Sequence, residues 1–330
     1  GVVFYVINAA VHFPFMDATM TTVSIALLNT VFRFATVLLL TPMIPMLERL
    51  VTVLFPDKAA SGALADIDRL EERFLTHPAL AIEQSRLTID SMARQAQNNI
   101  LSAFALLEKF DDDQFAALQE DEEAIDHYED KLGTYLIKIT SKELTPRQTA
   151  DVSKYLHTIS DLERISDHSV NLLESAEEMH QKNIEFSKDA QEELQVLEDA
   201  VQDILSRTTD AFRKGDLHLA SKVEPLEAVV NELVRAIKAH HIARLQTGSC
   251  SIEYGFVLDD LLTNYERVCD HCSNVAVAQI EVAQDSFDTH AYLNDLRHGN
   301  DTKESEEFHR RLGRYRERYL FPDGQTAEEN

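Results

Sequence analysis

Apolar residues recur every three or four positions from about residue 80 onward, which is the spacing of one buried face of an amphipathic helix. The first such stripe consists of Ile89, Met92, Ala96, Ile100, Ala103 and Leu107. It stops near Phe110, and polar caps at Asp111 and Thr145 then open two further helices. The pattern predicts a bundle of three long helices over 78–183.

Three more helices are predicted over 187–284, where Gly215 and Gly248 mark the ends of the first two. Pro225 lies inside the second of them, so we expect a kink or a late start there. Short connections favour antiparallel neighbours, and the expected fold is therefore all-α with two tandem three-helix bundles. Residues 285–330 form a C-terminal tail with one short helical stretch, in which weak packing is expected apart from Tyr292, Phe308 and Tyr319, which could dock on a bundle.

The two predicted bundles share a motif in their third helices, which indicates an internal duplication. Five residue types recur at the same spacing, with an offset of 103 residues between the copies. The first copy is Glu163, Arg164, Asp167, His168 and Asn171, and the second is Glu266, Arg267, Asp270, His271 and Asn274. The second helices also correspond, with Glu122 and Asp126 against Glu227 and Asn231.

A spacing of four residues places the acidic side chains of each helix on one stripe. Two such helices packed side by side bring several carboxylates together, and like charges that close require protons or a cation. We therefore predict an oxygen-rich site for divalent or iron-type metal ions in each bundle. The two ligand sets are Glu122, Asp126, Glu163 and Asp167, then Glu227, Asn231, Glu266 and Asp270. A solvated acidic face is the alternative that the pattern leaves open.

The remaining motif residues are expected to surround and orient the metal ligands rather than to bind metal themselves. They are Arg164, His168, Asn171, Arg267, His271 and Asn274. The arginines follow the glutamates directly and point about 100° away from them, which suits ion pairs with a neighbouring helix. Cys269 and Cys272 offer only half of a zinc pattern, so they are expected to pack inside the helix.

Residues 1–57 differ from the rest of the chain in hydropathy and charge, because nearly all of the net charge of −26 lies beyond them. The apolar stretch 20–47 is long enough to cross a bilayer of about 30 Å and predicts a terminal transmembrane helix, the end of a larger membrane domain. Asn29 and Arg33 share one face and are expected to tie it to neighbouring protein. Basic residues after the stretch favour a cytoplasmic side for 59–330. A buried soluble helix is the alternative.

Composition and missing motifs exclude several classes of protein. The net charge of −26 argues against a nucleic-acid partner, because the chain lacks an extended basic surface. The sequence contains no P-loop, nucleophile elbow or Gly-rich dinucleotide loop. A ferritin-like di-iron enzyme is disfavoured, because Glu-x-x-His occurs only at Glu177–His180 and Glu306–His309, away from the repeated stripes. We therefore do not expect an enzyme.

The repeated Glu-Arg-x-x-Asp-His-x-x-Asn motif, with Glu122 and Asp126 on a second helix, resembles the PhoU family of phosphate-signalling proteins. The resemblance implies two three-helix bundles whose Glu/Asp-x3-Asp motifs bind multinuclear metal clusters. Asn231 departs from the family pattern, which has aspartate at this position. The lost charge weakens the expectation of a cluster in the second half.

The stretches 241–274 and 28–42 are more specifically similar to bacterial sodium/phosphate cotransporters that carry a PhoU-like C-terminal domain. The resemblance implies the C-terminal part of a sodium-dependent inorganic phosphate transporter in the inner membrane, with 59–330 cytoplasmic and regulatory. Its partners would be the membrane, sodium and inorganic phosphate, and a homodimer stays open. The transport residues would lie upstream of residue 1. A membrane-anchored helical signalling or scaffold module without transport is the alternative.

Overall fold

The computed structural model describes residues 21–41, 63–284 and 303–321. Within these ranges every regular element is helical, as the hydrophobic periodicity predicts. The chain divides into two compact units, Gly1–Ala60 and Ser61–Asn330, and each is described by itself. The all-α prediction is confirmed for this described part of the chain.

The first unit contributes one described helix, α1, which runs over Thr22–Leu40. Asn29 and Arg33 interrupt its apolar sequence near the middle. Among the described residues, no helix is both long enough and apolar enough to cross a membrane. The predicted transmembrane helix over 20–47 is therefore not supported. Asn29 and Arg33 are exposed on this helix, and their contact with neighbouring protein stays a prediction. The rest of 1–57 lies outside the described residues.

The first bundle consists of α2 (Pro78–Glu108), α3 (Asp112–Thr140) and α4 (Pro146–Lys182), and each helix packs against the other two. Two short 3-10 segments, Ala63–Arg69 and Glu72–Thr76, precede the bundle and pack against α2. These bounds lie within a few residues of the helices that the periodicity predicts.

Side-chain caps explain where these helices begin and end. The carboxylate of Asp111 accepts a hydrogen bond from the backbone N–H of Gln114 at 3.0 Å, which opens α3. Thr145 and Gln148 form a capping box at the start of α4. The same helix ends at Asn183, whose φ of 51° is a left-handed conformation that asparagine tolerates. Both predicted helix starts are thus confirmed.

The second bundle consists of α5 (Lys188–Lys214), α7 (Val223–Gln246) and α8 (Ile252–Gln284). A single helical turn, α6 (Leu217–Ala220), separates α5 from α7. The expectation of a kink or a late start at Pro225 resolves as a late start, because this proline lies in the first turn of α7. There its missing N–H removes no intrahelical hydrogen bond.

The two bundles share one apolar core. They meet mainly through α4 and α8, the third helices of the two repeats, and also through α2 and α5. Phe104 packs edge-on against Tyr265 with ring centroids 5.2 Å apart, and Tyr155 packs in the same way on Phe212 at 6.0 Å. The contact between the third helices brings the two copies of the motif face to face.

The C-terminal tail contributes α9, which runs over Lys303–Arg318 and packs against α7. Phe308 and Tyr319 are buried, so the predicted docking of these two aromatic residues is confirmed. Arg316 donates two hydrogen bonds to the carboxylate of Glu232, at 2.9 and 2.6 Å. The tail residue Tyr292, which was expected to dock as well, lies outside the described residues.

Glu198 on α5 should make the stability of the fold depend on pH. Its carboxylate accepts a hydrogen bond from the Tyr265 hydroxyl at 2.7 Å, and burial raises the pKa of Glu198 to about 7. The folded chain therefore binds more protons than the unfolded chain between the ordinary pKa of 4.5 and about 7, so stability falls as the pH rises through that window. Glu198→Gln should reduce this loss, to which Glu122 and Glu163 also contribute, and should stabilise the protein by on the order of 1–2 kcal/mol above the window.

Urea unfolding of the wild type and of Glu198→Gln, on both sides of the pH window, measures this effect. Glu174→Gln is the matched control, because it makes the same chemical change at an exposed glutamate of α4. The same fall in stability with pH in wild type and Glu198→Gln would show that Glu198 does not cause it.

Candidate metal site in the first bundle

Three carboxylates of the first bundle converge on one point between α3 and α4. Glu122 and Asp126 lie one turn apart on α3, and Asp167 lies on α4. One oxygen from each of these residues lies within 4.8 Å of the others. Since a divalent cation binds oxygen at about 2.0–2.6 Å, three such oxygens can all reach a single ion. The residues therefore fit a hard, oxygen-preferring metal.

Glu163 extends the cluster along α4, one turn before Asp167. Its side chain shares a hydrogen bond with Asp167, and the carboxylates of Asp126 and Glu129 act on it electrostatically. The structure thus brings three of the four predicted acids within 4.8 Å of one another, and Glu163 adjoins them through Asp167. The spacing of four residues on two neighbouring helices is sufficient to explain this arrangement.

The electrostatics of the cluster show how strongly these acids repel one another. Burial raises the pKa of Glu122 to about 7, and the carboxylates of Asp126 and Asp167 add to the shift. Burial and Asp167 likewise raise the pKa of Glu163 to about 7. The pKa of Asp126 is also raised, by burial and then by Asp167. Near neutral pH the site can relieve this repulsion by holding protons or by binding a cation.

The corresponding residues of the second half are arranged differently. The amide of Asn231 donates a hydrogen bond to Glu227 at 2.5 Å, and Arg267 forms an ion pair with Asp270 at 3.2 Å. Within the described ranges, the second half contains no group of three metal-ligating side chains comparable to that of the first. Glu266 and Asp270 keep their predicted places on α8, but Arg267 offsets the charge of Asp270, and Asn231 contributes no negative charge of its own.

The histidines of the motif lie between the two bundles and not around the carboxylates. The Nδ1 of His271 lies 2.9 Å from Oδ1 of Asp161, and the Nδ1 of His168 lies 2.8 Å from Oδ1 of Asn264. The two imidazole rings stack with centroids 5.8 Å apart. Asn274 also donates a hydrogen bond to Asp161, at 3.1 Å. His271 and His168 thus contact residues of the other bundle, Asp161 and Asn264, and not the predicted metal ligands.

The other motif residues are also placed by this interface. Asn171 lies beside His168, at 3.5 Å between its Nδ2 and the ring Nδ1. Arg164 is exposed and lines a cleft with Asp161 and Asn274. Arg267 touches a predicted ligand, the carboxylate of Asp270 in the second half.

Asp161 and Asn264 are the residues that sequence reasoning missed. They are related by the same offset of 103 residues that relates the two motifs, so the contacts between α4 and α8 form two quasi-equivalent halves. Extending the repeat comparison by two positions toward the N-terminus would have detected the pair.

Burial lowers the pKa of His168, and the nearby His271 lowers it further.

Asp161→Ala should loosen the contact between the bundles. The change leaves the His271 imidazole and the Asn274 amide without their shared acceptor, at an expected cost of about 2 kcal/mol in the free energy of unfolding. Urea unfolding measures this loss, and Asp130→Ala, which removes an exposed aspartate from α3, is the control. Equal stability of the two variants would mean that the interface does not depend on Asp161.

Comparisons with known proteins agree with this architecture. Residues 89–176 and 194–278, together more than half of the chain, each match the PhoU domain family, and each segment lies within one of the two bundles. The phosphate-specific transport system accessory protein PhoU homolog 1 of Thermotoga maritima is 30% identical over 129 residues. This match covers 37% of the chain and 53% of that protein, so the chain spans about half the length of this relative.

Two solved structures share the fold at low sequence identity. The chain is similar to PhoU from Pseudomonas aeruginosa with a TM-score of 0.58 and 17% identity, over 64% of this chain and 99% of that one. It is similar to the phosphate transport system regulatory protein PhoU from Streptococcus pneumoniae with a TM-score of 0.57 and 13% identity, over 64% and 98%. With both repeats matched and the tandem helical bundles in place, the chain belongs to the PhoU domain family.

Proposed function

We propose that this chain regulates inorganic-phosphate transport, and that a metal held in the first bundle is part of the regulating unit. The observation that carries the proposal is the match of both three-helix repeats to the PhoU domain. A relative that matches part of the chain is a phosphate-transport accessory protein by name. The family match supports the regulatory role. The carboxylate cluster supports the bound metal.

The metal would be held by Glu122, Asp126, Glu163 and Asp167. A bound divalent or iron-type cation would supply positive charge that offsets the repulsion among these acids and would link α3 to α4. The four residues supply carboxylate oxygens only, the donor type that hard cations prefer. Binding would also release the protons that Glu122 and Glu163 hold near neutral pH.

The finer proposal is that the regulated carrier is a sodium-dependent phosphate transporter of the inner membrane, with the helical bundles on its cytoplasmic side. The similarity of 241–274 to the C-terminal domains of such cotransporters supports it. Sodium, inorganic phosphate and the membrane carrier would then be the functional partners. The alternative is a signalling or scaffold role without transport, and the following experiment distinguishes it from the transporter proposal.

Uptake of radiolabelled phosphate tests the proposal in cells of the organism of origin. Cells that lack the gene should no longer adjust phosphate uptake to external phosphate, and the wild-type gene should restore this adjustment. Asp167→Asn should restore it poorly, whereas Asp270→Asn should restore it well. Normal regulation without the gene would refute the proposal. Regulated uptake that does not require sodium would refute only the sodium-dependent carrier.

A further inference from the structure

A cleft of about 1510 Å³ lies where the beginning of α4 meets the end of α5, at the junction of the two bundles. Its basic lining residues are Arg86, Arg147, Lys154, Arg213 and Lys214. The acids that form ion pairs with these bases are Glu83, Asp151 and Asp210. Bases therefore outnumber acids here, although the chain as a whole has 57 acids and 31 bases.

Polar side chains line the inner part of the cleft, and Lys154 pairs there with Asp151 at 3.1 Å. Tyr155 is 5% exposed, and its hydroxyl has no hydrogen-bond partner among the described residues. Lys154 lies over the Tyr155 ring at 5.0 Å, and its side chain is only 15% exposed. At the rim, Arg147 is exposed and makes no ion pair with any described residue. A tyrosine hydroxyl, an amine paired with Asp151 and a guanidinium without an ion pair among the described residues thus line one cleft.

The internal duplication shows that packing does not require these residues. The offset of 103 residues places Val257 and Leu258 of α8 at the positions that Lys154 and Tyr155 occupy in α4. Both residues of the second half are buried, at 2% and 1% exposure. Apolar side chains at these two positions are therefore sufficient for the packing of a bundle. The Tyr155 ring packs in the core, so what the packing leaves unexplained in the first half is the Lys154 amine and the Tyr155 hydroxyl.

The size and lining of the cleft indicate what it can bind. Pockets for small ligands typically measure about 300–1,000 Å³, and this cleft is larger. It is also apolar in part, because Phe212, Leu217 and Val282 line it and Leu217 is 42% exposed. A small phosphate-bearing anion would contact the basic side chains but not the apolar surface. A polypeptide segment can use both.

We propose that this cleft binds an acidic segment of a partner protein whose carboxylates alternate with apolar side chains. The carboxylates would meet Arg147, Lys154 and the Tyr155 hydroxyl, and the apolar side chains would cover Leu217. This interaction surface is separate from the carboxylate cluster between α3 and α4. It therefore does not depend on the proposed metal site or on its occupancy.

Fluorescence anisotropy with the full chain tests the proposal. The probe is a short fluorescein-labelled peptide of alternating glutamate and leucine, and a peptide of alternating glutamine and leucine is its uncharged counterpart. The glutamate peptide should bind about tenfold more tightly than the glutamine peptide. Arg147→Glu should weaken its binding about tenfold. Lys109→Glu should leave binding unchanged, because this exposed lysine lies outside the cleft.

Tyr155→Phe gives a second readout that a purely structural role would not move. Because the hydroxyl has no hydrogen-bond partner among the described residues, the variant should keep the melting temperature of the wild type and yet bind the glutamate peptide more weakly. Equal affinity for both peptides, or unchanged affinity in Arg147→Glu, would overturn the proposal. Displacement of the peptide by inorganic phosphate at low concentration would also overturn it, in favour of a site for small oxyanions.

Discussion

Asp167→Asn should remove most of the metal bound by the purified chain, whereas Asp270→Asn should remove little. Asp167 lies within 4.8 Å of both Glu122 and Asp126, so its loss takes away a shared ligand and one negative charge. Asp270 is instead paired with Arg267. We expect the metal affinity to fall at least about tenfold in the first variant, since affinity at such sites follows ligand charge and number.

Elemental analysis after metal loading and dialysis measures the difference between the two variants. Asp270→Asn is a matched control, because it makes the same chemical change at the equivalent position of the repeat. Asp167→Asn should also stabilise the metal-free protein, because Asp167 raises the pKa of both Glu122 and Glu163. Equal metal content in wild type and both variants would mean that the cluster is a solvated acidic face.

Arg244→Ala should cause the largest loss of stability in the second bundle. The carboxylate of Glu193 is buried and accepts two hydrogen bonds from Arg244, both at 2.9 Å. His240 contacts the same carboxylate at 2.8 Å. Removal of the arginine leaves a buried charge with only the imidazole beside it, at an expected cost of about 3–5 kcal/mol. For a chain of this size the melting temperature should fall by roughly 10 °C.

Arg235→Ala is the matched control for Arg244→Ala. Arg235 lies on the same helix but is exposed, and its Nε donates only to a backbone carbonyl of that helix, at Asn231. Its loss should cost less than about 1 kcal/mol. A second change, Glu193→Leu, should recover much of the stability lost in Arg244→Ala, because it removes the uncompensated charge. Similar losses in both arginine variants would contradict a special role for the Glu193 pair.

The helices and the first-half site were predictable because both depend on local spacing. Apolar periodicity and the caps at Asp111 and Thr145 fix the helices to within a few residues. The Glu-x3-Asp spacing brings carboxylates to one face wherever two such helices pack together. Asn231 already indicated that the second half would differ, and its hydrogen bond to Glu227 agrees with that expectation.

The role of the motif histidines was not predictable in the same way. Which face of α4 meets α8 depends on how two complete bundles pack, and helix periodicity does not encode that packing. The partners Asp161 and Asn264 lie outside the nine-residue motif, so the motif by itself named only half of each contact. The basic cleft was not predicted for a related reason, because its basic side chains come from three helices that are distant in sequence.

Anomalous X-ray scattering from crystals of the chain loaded with Mn²⁺ would test most directly that the first bundle is the metal-binding half. We predict an anomalous peak at about 2.0–2.6 Å from oxygens of Glu122, Asp126 and Asp167. A weaker peak or none should occur beside Glu227 and Asp270. The absence of a peak at the first cluster, or a stronger peak in the second half, would contradict the metal site proposed here.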